Sequence, residues 1–194
     1  LASVFYQKLD CDAIVARTHT LITARVIETA VKLRVIGIAG VGLDRVDQAA
    51  AAARGLRIVH TPAASTQAVA ELAVGFMFQW LRPIPRLAAE YRARRFQQAR
   101  AHPHGDELHD LTVGIIGMGR IGSRVGRICS AGFGSRVIFN DIADVGPFDF
   151  AAVRVELDTL LRESDVIMLH VPLDNSTRRM VNAGALGEMK TRAL

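Results

Sequence analysis

Gly117, Gly119 and Gly122 stand in the run GMGRIG, directly after the apolar segment LTVGII at residues 111–116. A G-x-G-x-x-G that leaves a strand and opens a helix is built to receive a pyrophosphate. The first glycine permits the tight turn, and the second lets the backbone approach the phosphates. The third lets helix and strand pack closely, while the helix amino-terminus offers free N–H groups and positive dipole. The next strand ends at Asp141, and 141 − 122 gives 19 residues, the spacing expected of an acid that accepts the ribose hydroxyls of a bound dinucleotide. No lysine or arginine follows Asp141 in IADVGPFD to neutralise a 2′-phosphate, so the expected cofactor is NAD rather than NADP.

The other reactive side chains make no comparable pattern. His102, His104 and His109 with Asp106 could be imagined as metal ligands, but no second cluster completes a site and they read as a polar loop. Cys11 and Cys129 are far apart and form no Cys-x-x-Cys pair, so both are expected as reduced thiols, with a cytoplasmic location inferred from them.

The elements that would position the glycine loop alternate along the chain. Residues 12–17 (DAIVAR) read as a strand, followed by a helix bearing Val26, Ile27, Ala30 and Val31 at helical spacing. Residues 33–38 form the next strand, 44–54 a helix closed by Gly55, and 56–60 a third strand. A long apolar helix capped by Ser65 or Thr66 runs to Leu81, where Pro83 and Pro85 end or kink it, and an arginine-rich helix is expected over 86–100. The second alternating unit comprises strand 111–116, helix 120–131, strand 136–140, a helix near 158–162, strand 165–171 and a helix near 182–190. The fold class this implies is α/β with parallel sheets.

Half of the 194 residues are hydrophobic, enough to bury a substantial core. The most apolar stretch, 70–81, is too short to cross a bilayer, so no membrane association is expected. The formal charge of +5 comes mainly from arginine, richest over 82–100, which reads as a solvated helix face rather than a nucleic-acid surface. The chain begins with Leu1 and carries no leader-like pattern, so its start is expected to be a cut.

With these residues in place, the chain resembles the D-isomer-specific 2-hydroxyacid dehydrogenases, in their phosphoglycerate dehydrogenase-like branch. The resemblance rests on an ordered series: residues 16–23 (ARTHTLIT), 35–47 (VIGIAGVGLDRVD), 60–75 (HTPAASTQAVAELAVG), 114–122 (GIIGMGRIG) and 164–182 (SDVIMLHVPLDNSTRRMVN). It implies two parallel-sheet domains, both incomplete: a flavodoxin-like substrate domain over 1–84 and a Rossmann dinucleotide-binding domain over 85–194. It further implies an oxidoreductase that moves hydride between NAD(H) and a small 2-hydroxy or 2-oxo acid, working as a homodimer. By the resemblance, Gly40, Val41 and Gly42 receive the substrate carboxylate on backbone N–H groups at the cleft between domains, with Arg17 beside them. Val41, Gly117, Gly119, Arg120, Ile121, Gly122, Asp141, Val171 and Pro172 are the implied cofactor contacts. His170 is implied to be structural or close to the cofactor rather than catalytic.

The family's catalytic arginine, glutamate and histidine are expected beyond Leu194, so no catalytic residue is assigned in this chain. Two other readings compete: an NAD(H)-sensing protein like the corepressors called C-terminal-binding proteins, and a truncated relic without function. The ending at Leu194 is also expected to leave strand 111–116 without a neighbour on one side.

Overall fold

A computed structural model describes residues 9–101 and 105–194, which form two compact units that divide between Ser65 and Thr66. The first unit contains β1 (Ala13–Arg17), α1 (Ala24–Thr29), β2 (Val35–Ala39), α2 (Gln48–Ala53) and β3 (Arg57–His60). Its sheet is parallel in the order β1-β2-β3, with Arg17 beside Ala39 and Ile38 beside His60. Side chains alternate across a strand, so Ile36 and Ile38 point to one face, where they meet Ile27 and Ala30 of the α1 region and Ala51 of α2. The opposite face leaves Val15 81% exposed.

Each of these two helices is capped by a side chain, and α2 starts at Gln48, later than the expected start at 44, because the cap is Asp47. Thr23 Oγ1 accepts from Val26 N at 3.3 Å and Asp47 Oδ1 from Ala50 N at 2.9 Å. Gly55, at φ 63°, takes the left-handed position after α2. The α1 helix stops at Thr29, sooner than its periodicity suggests, and Val31 is exposed rather than packed. The Arg54 guanidinium donates to the carbonyls of Ile27, Ala30 and Val31, satisfying groups the helix end leaves open.

The second unit opens with α3 (Thr66–Leu81), α4 (Ile84–Arg92) and α5 (Phe96–Ala101). Its division from the first unit falls between Ser65 and Thr66, earlier than the 84/85 boundary that the resemblance implies. The reason is packing: Ala70, Met77 and Leu81 of α3 are buried in one cluster with Val113, Ile115 and Val125. Pro85 does not break α4, because in the first turn its missing N–H has no intrahelical acceptor to lose. The expected single helix over 86–100 is instead two, interrupted where Arg94 adopts φ 57°.

The sheet follows: β4 (Thr112–Ile116), α6 (Arg120–Arg127) continued by a π turn (Ile128–Gly132), β5 (Arg136–Asn140), β6 (Val153–Arg154), α7 (Leu157–Glu163), β7 (Val166–Leu169) and α8 (Ala183–Glu188). All pairings are parallel, in the order β6-β5-β4-β7. Counted within this unit the order is 3-2-1-4, the beginning of the doubly wound dinucleotide-binding pattern. β4 is central and paired on both sides, contrary to the expectation that it lacks a neighbour. The chain crosses over to lay β7 against it, so the sheet's edges are β6 on one side and β7 on the other. Along the β7 edge Leu194 N donates to Asp165 O at 3.0 Å, and Ile167 N to Leu194 O at 2.8 Å.

Candidate functional site

In a parallel sheet, ligands settle outside the carboxyl ends of the strands, where the chain order reverses. In the second unit that point lies between β4 and β7. The glycine loop leaves β4 there and His170–Val171 leave β7. Gly117 sits at φ 91°, where a side chain is strained, and a Cβ there would lie 2.7 Å from Val171 Cγ1 and 2.9 Å from the His170 carbonyl. At Gly122 a Cβ would collide with the Gly117 carbonyl oxygen, so glycine is needed for helix and loop to pack.

Gly119 differs from both. Its φ of −70° suits any residue, and nothing lies within 4 Å of where its Cβ would be. The chain's own packing therefore gives no reason for glycine, but a ligand backbone brought close to the loop would. No side chain caps α6, which leaves its first-turn N–H groups, those of Arg120, Ile121 and Gly122, without a side-chain acceptor. Such amides at a positive helix end suit a pyrophosphate.

Asp141 ends up against the same loop. Its Oδ2 accepts from Met118 N at 2.7 Å and its Oδ1 from Ala143 N at 2.9 Å. Two bonds leave further lone pairs on a carboxylate that can accept about four. The half-buried acid is thus fixed in place with capacity for ribose hydroxyls. The residues fit a dinucleotide.

Sequence reasoning missed one neighbour. Arg154, on β6 and registered beside Phe139 of β5, donates to the Asp141 carbonyl and pairs with Asp144 at 3.5 Å. A cation does stand near the acid, although none follows Asp141 in the local sequence. Only the two-residue strand β6, too short to show a period, could have signalled it.

His170 lies beside the loop through its backbone, and His170 N donates to Ile116 O at 2.8 Å. Its Nε2 is buried without a partner among the described residues, and burial pushes its pKa down from 6.5. Pro172 is exposed, and its carbonyl accepts from Thr177 Oγ1 at 2.6 Å.

The first unit gathers its own group at the carboxyl ends of its strands. Arg17, exposed, ends β1 beside Ala39, after which Gly40, Val41 and Gly42 turn. A Cβ at Gly40 would collide with Thr18 Cγ2, and one at Gly42 would lie 2.7 Å from Asp44 Oδ1. Val41 is exposed.

His102 and His104 lie outside the described residues. His109 Nδ1 is 3.2 Å from the Phe133 carbonyl, so that ring is engaged with backbone. Among the described residues no three histidine, cysteine, aspartate or glutamate side chains gather as a metal site. Cys11 and Cys129 are free, and burial raises the Cys129 thiol to about 12. Also among the described residues, no helix is long and apolar enough to cross a membrane.

A parallel sheet in this order with a glycine loop and a fixed acid at its reversal point defines a dinucleotide-binding domain. Residues 74–194 match the family model for the D-isomer specific 2-hydroxyacid dehydrogenase, NAD binding domain, and the chain belongs to that family. It is 39% identical over 181 residues to a hydroxypyruvate reductase of Thermotoga maritima, covering 93% of this chain and 58% of that protein. It is 37% identical over 188 residues to a D-3-phosphoglycerate dehydrogenase of Methanocaldococcus jannaschii, covering 95% of this chain and 35% of that one. Among solved structures, a D-lactate dehydrogenase from Aquifex aeolicus complexed with NAD and lactic acid superposes with a TM-score of 0.85 at 29% identity, over 94% of this chain and 55% of that one. The chain thus spans well under two thirds of each of these relatives.

Proposed function

We propose that this chain is the part of an NAD(H)-dependent D-2-hydroxyacid dehydrogenase that holds the cofactor's adenosine side and receives the carboxylate of a small 2-hydroxy or 2-oxo acid. The observation that carries this reading is Gly119: neither its backbone angles nor its surroundings call for glycine, whereas a pyrophosphate lying on the loop would. Gly117 and Gly122 shape the turn, and Arg120, Ile121 and Gly122 present their amides to the phosphates. Asp141 accepts from the ribose, while Val171 and Pro172 bound the site beyond β7. In the first unit, Gly40, Val41 and Gly42 receive the substrate carboxylate on backbone N–H groups, Arg17 adds positive charge, and Val41 also touches the cofactor.

The bound NAD(H) supplies the hydride acceptor or donor for the carbon bearing the substrate oxygen. The residues assigned here bind and orient, and none of them is assigned to move the substrate's proton. We further assign the protein to the cytoplasm and to a homodimer, the latter built through the exposed apolar face of α3.

The test is calorimetric titration of the 194-residue chain and its Gly119→Val variant with NADH. Binding by the parent and loss of at least tenfold in the variant, with the fold unchanged by circular dichroism, is the expected result, since a branched side chain would fill the space the phosphates need. Equal affinity in the two would remove the loop as the phosphate site.

A further inference from the structure

The substrate turn in the first unit has its direction set by two hydrogen bonds from the end of β3. Thr61 N donates to the Gly40 carbonyl at 3.1 Å, and His60 Nδ1 lies 3.0 Å from the Val41 carbonyl. A carbonyl oxygen only accepts, so His60 Nδ1 must carry the proton. In a trans peptide the C=O of one residue and the N–H of the next point in opposite directions. Drawing the Gly40 carbonyl toward Thr61 therefore sends Val41 N–H the other way, and drawing the Val41 carbonyl toward His60 does the same for Gly42 N–H. Neither amide donates a hydrogen bond among the described residues. Two successive free N–H groups turned to one side form an anion-binding concavity.

We propose that His60 is a positioning residue for carboxylate binding: its Nδ1–H holds the Val41 carbonyl back and so aims the Gly42 amide, with Val41 N–H, at the substrate's carboxylate. This rests on the assignment of residues 40–42 as the carboxylate-receiving turn. The imidazole is exposed and engages the Val41 carbonyl, so the role assigned to it passes through the peptide it holds. Asparagine presents a side-chain N–H donor at a similar reach, so His60→Asn keeps the bond while His60→Ala and His60→Phe lose it.

Nitrogen-15 spectra of the 194-residue chain, kept dilute enough to remain free of larger species, test this at two levels. At alkaline pH, with the ring neutral, the His60 resonances should report the proton on Nδ1, and a proton on Nε2 would overturn the proposal without any variant being made. Titration with oxamate, a small unreactive carboxylate, should then shift the Val41 and Gly42 amides. Loss of one ordinary hydrogen bond corresponds to about fivefold weaker binding, expected in His60→Ala and recovered in His60→Asn. Wild-type amides that ignore oxamate would sink the carboxylate-turn reading and this proposal with it. Amides that respond equally in wild type and His60→Ala would leave that reading standing and overturn the positioning role alone.

Discussion

Asp141 fixes the glycine loop through Met118 N and has lone pairs to spare, which the proposed function gives to a ribose. Hydrogen bonds to a charged group contribute about 1.5–3 kcal/mol each, so Asp141→Ala should weaken NADH binding by tenfold or more. The same change removes a negative charge from the path of a 2′-phosphate and leaves Arg154 nearby, so NADPH affinity should hold or rise. Parallel titrations with both cofactors check this, and a variant that lost both equally would show the acid to be merely structural. The glycines and Asp141 were legible because their geometry is local, a turn and one strand away. Arg154 and His60 were not, since register between strands brings them to their partners.

His170 makes a pH prediction at the same scale. Its folded pKa lies below the ordinary 6.5 because burial disfavours the charged ring, so on acidification the unfolded chain takes up the proton first. The stability held above about pH 6.5 is therefore lost progressively as pH falls through that value toward the folded pKa. Thermal melting between about pH 7.5 and 5 should show the decline, with a smaller slope in His170→Asn. An unchanged slope would mean that other groups set it.

At the level of elements, the core of the second unit depends on backbone approaching backbone. A Cβ at Gly122 has the Gly117 carbonyl in its way, and one at Gly114 would strike Ser164, whose hydroxyl is fully buried and donates to Leu160 O at 2.6 Å. Gly122→Ala should therefore destabilise the fold by about 1–3 kcal/mol, the usual cost of overpacking, and denaturant unfolding measures it. Gly119→Val, which has no packing clash and costs only the poorer cap that valine makes for α6, should move the same midpoint less, and that contrast separates the packing glycine from the one proposed to face the ligand. Both read alike in GMGRIG, and only the surroundings of each distinguish them. Continuous apolar runs bounded by turn and capping residues, such as β4 and α3, could be placed from sequence. The break at Arg94 could not, because an arginine at φ 57° carries no compositional signal. On α6's extension, Cys129 is buried with its thiol raised to about 12, so iodoacetamide should modify the partly exposed Cys11 and spare Cys129 until the chain unfolds. Rapid labelling of both under native conditions would contradict this packing.

At the largest scale, the β7 edge of the second sheet, which Leu194 covers only at Asp165 and Ile167, sets how the 194-residue chain should associate in solution. β7 is the last strand, and beside it Ala73, Phe76, Met77 and Trp80 of α3 with Met168 and Leu169 line an apolar groove of about 410 Å³. Trp80 is 71% exposed. Such an edge invites pairing with another chain, and where β7 of one copy meets the other edge strand, β6, of the next, each added copy leaves a further edge, so association of that kind has no natural limit. Contact through α3 alone would instead close as a symmetric pair. The 194-residue chain should thus sediment as a dimer at low concentration and as a broad distribution of larger species as concentration rises. Leu169→Lys, which puts a charge on the exposed edge, should abolish the larger species and leave the dimer, whereas Trp80→Glu should act on the dimer. The residues assigned here only bind, so even the soluble Leu169→Lys preparation is expected to bind NADH without oxidising it when offered small 2-oxo acids. A proton-transfer group typically contributes about 10²–10⁴ in rate, which places that shortfall far outside assay error. Measurable turnover by the soluble preparation would mean that a proton-transferring residue lies within these 194 residues and that the binding-only assignment is wrong.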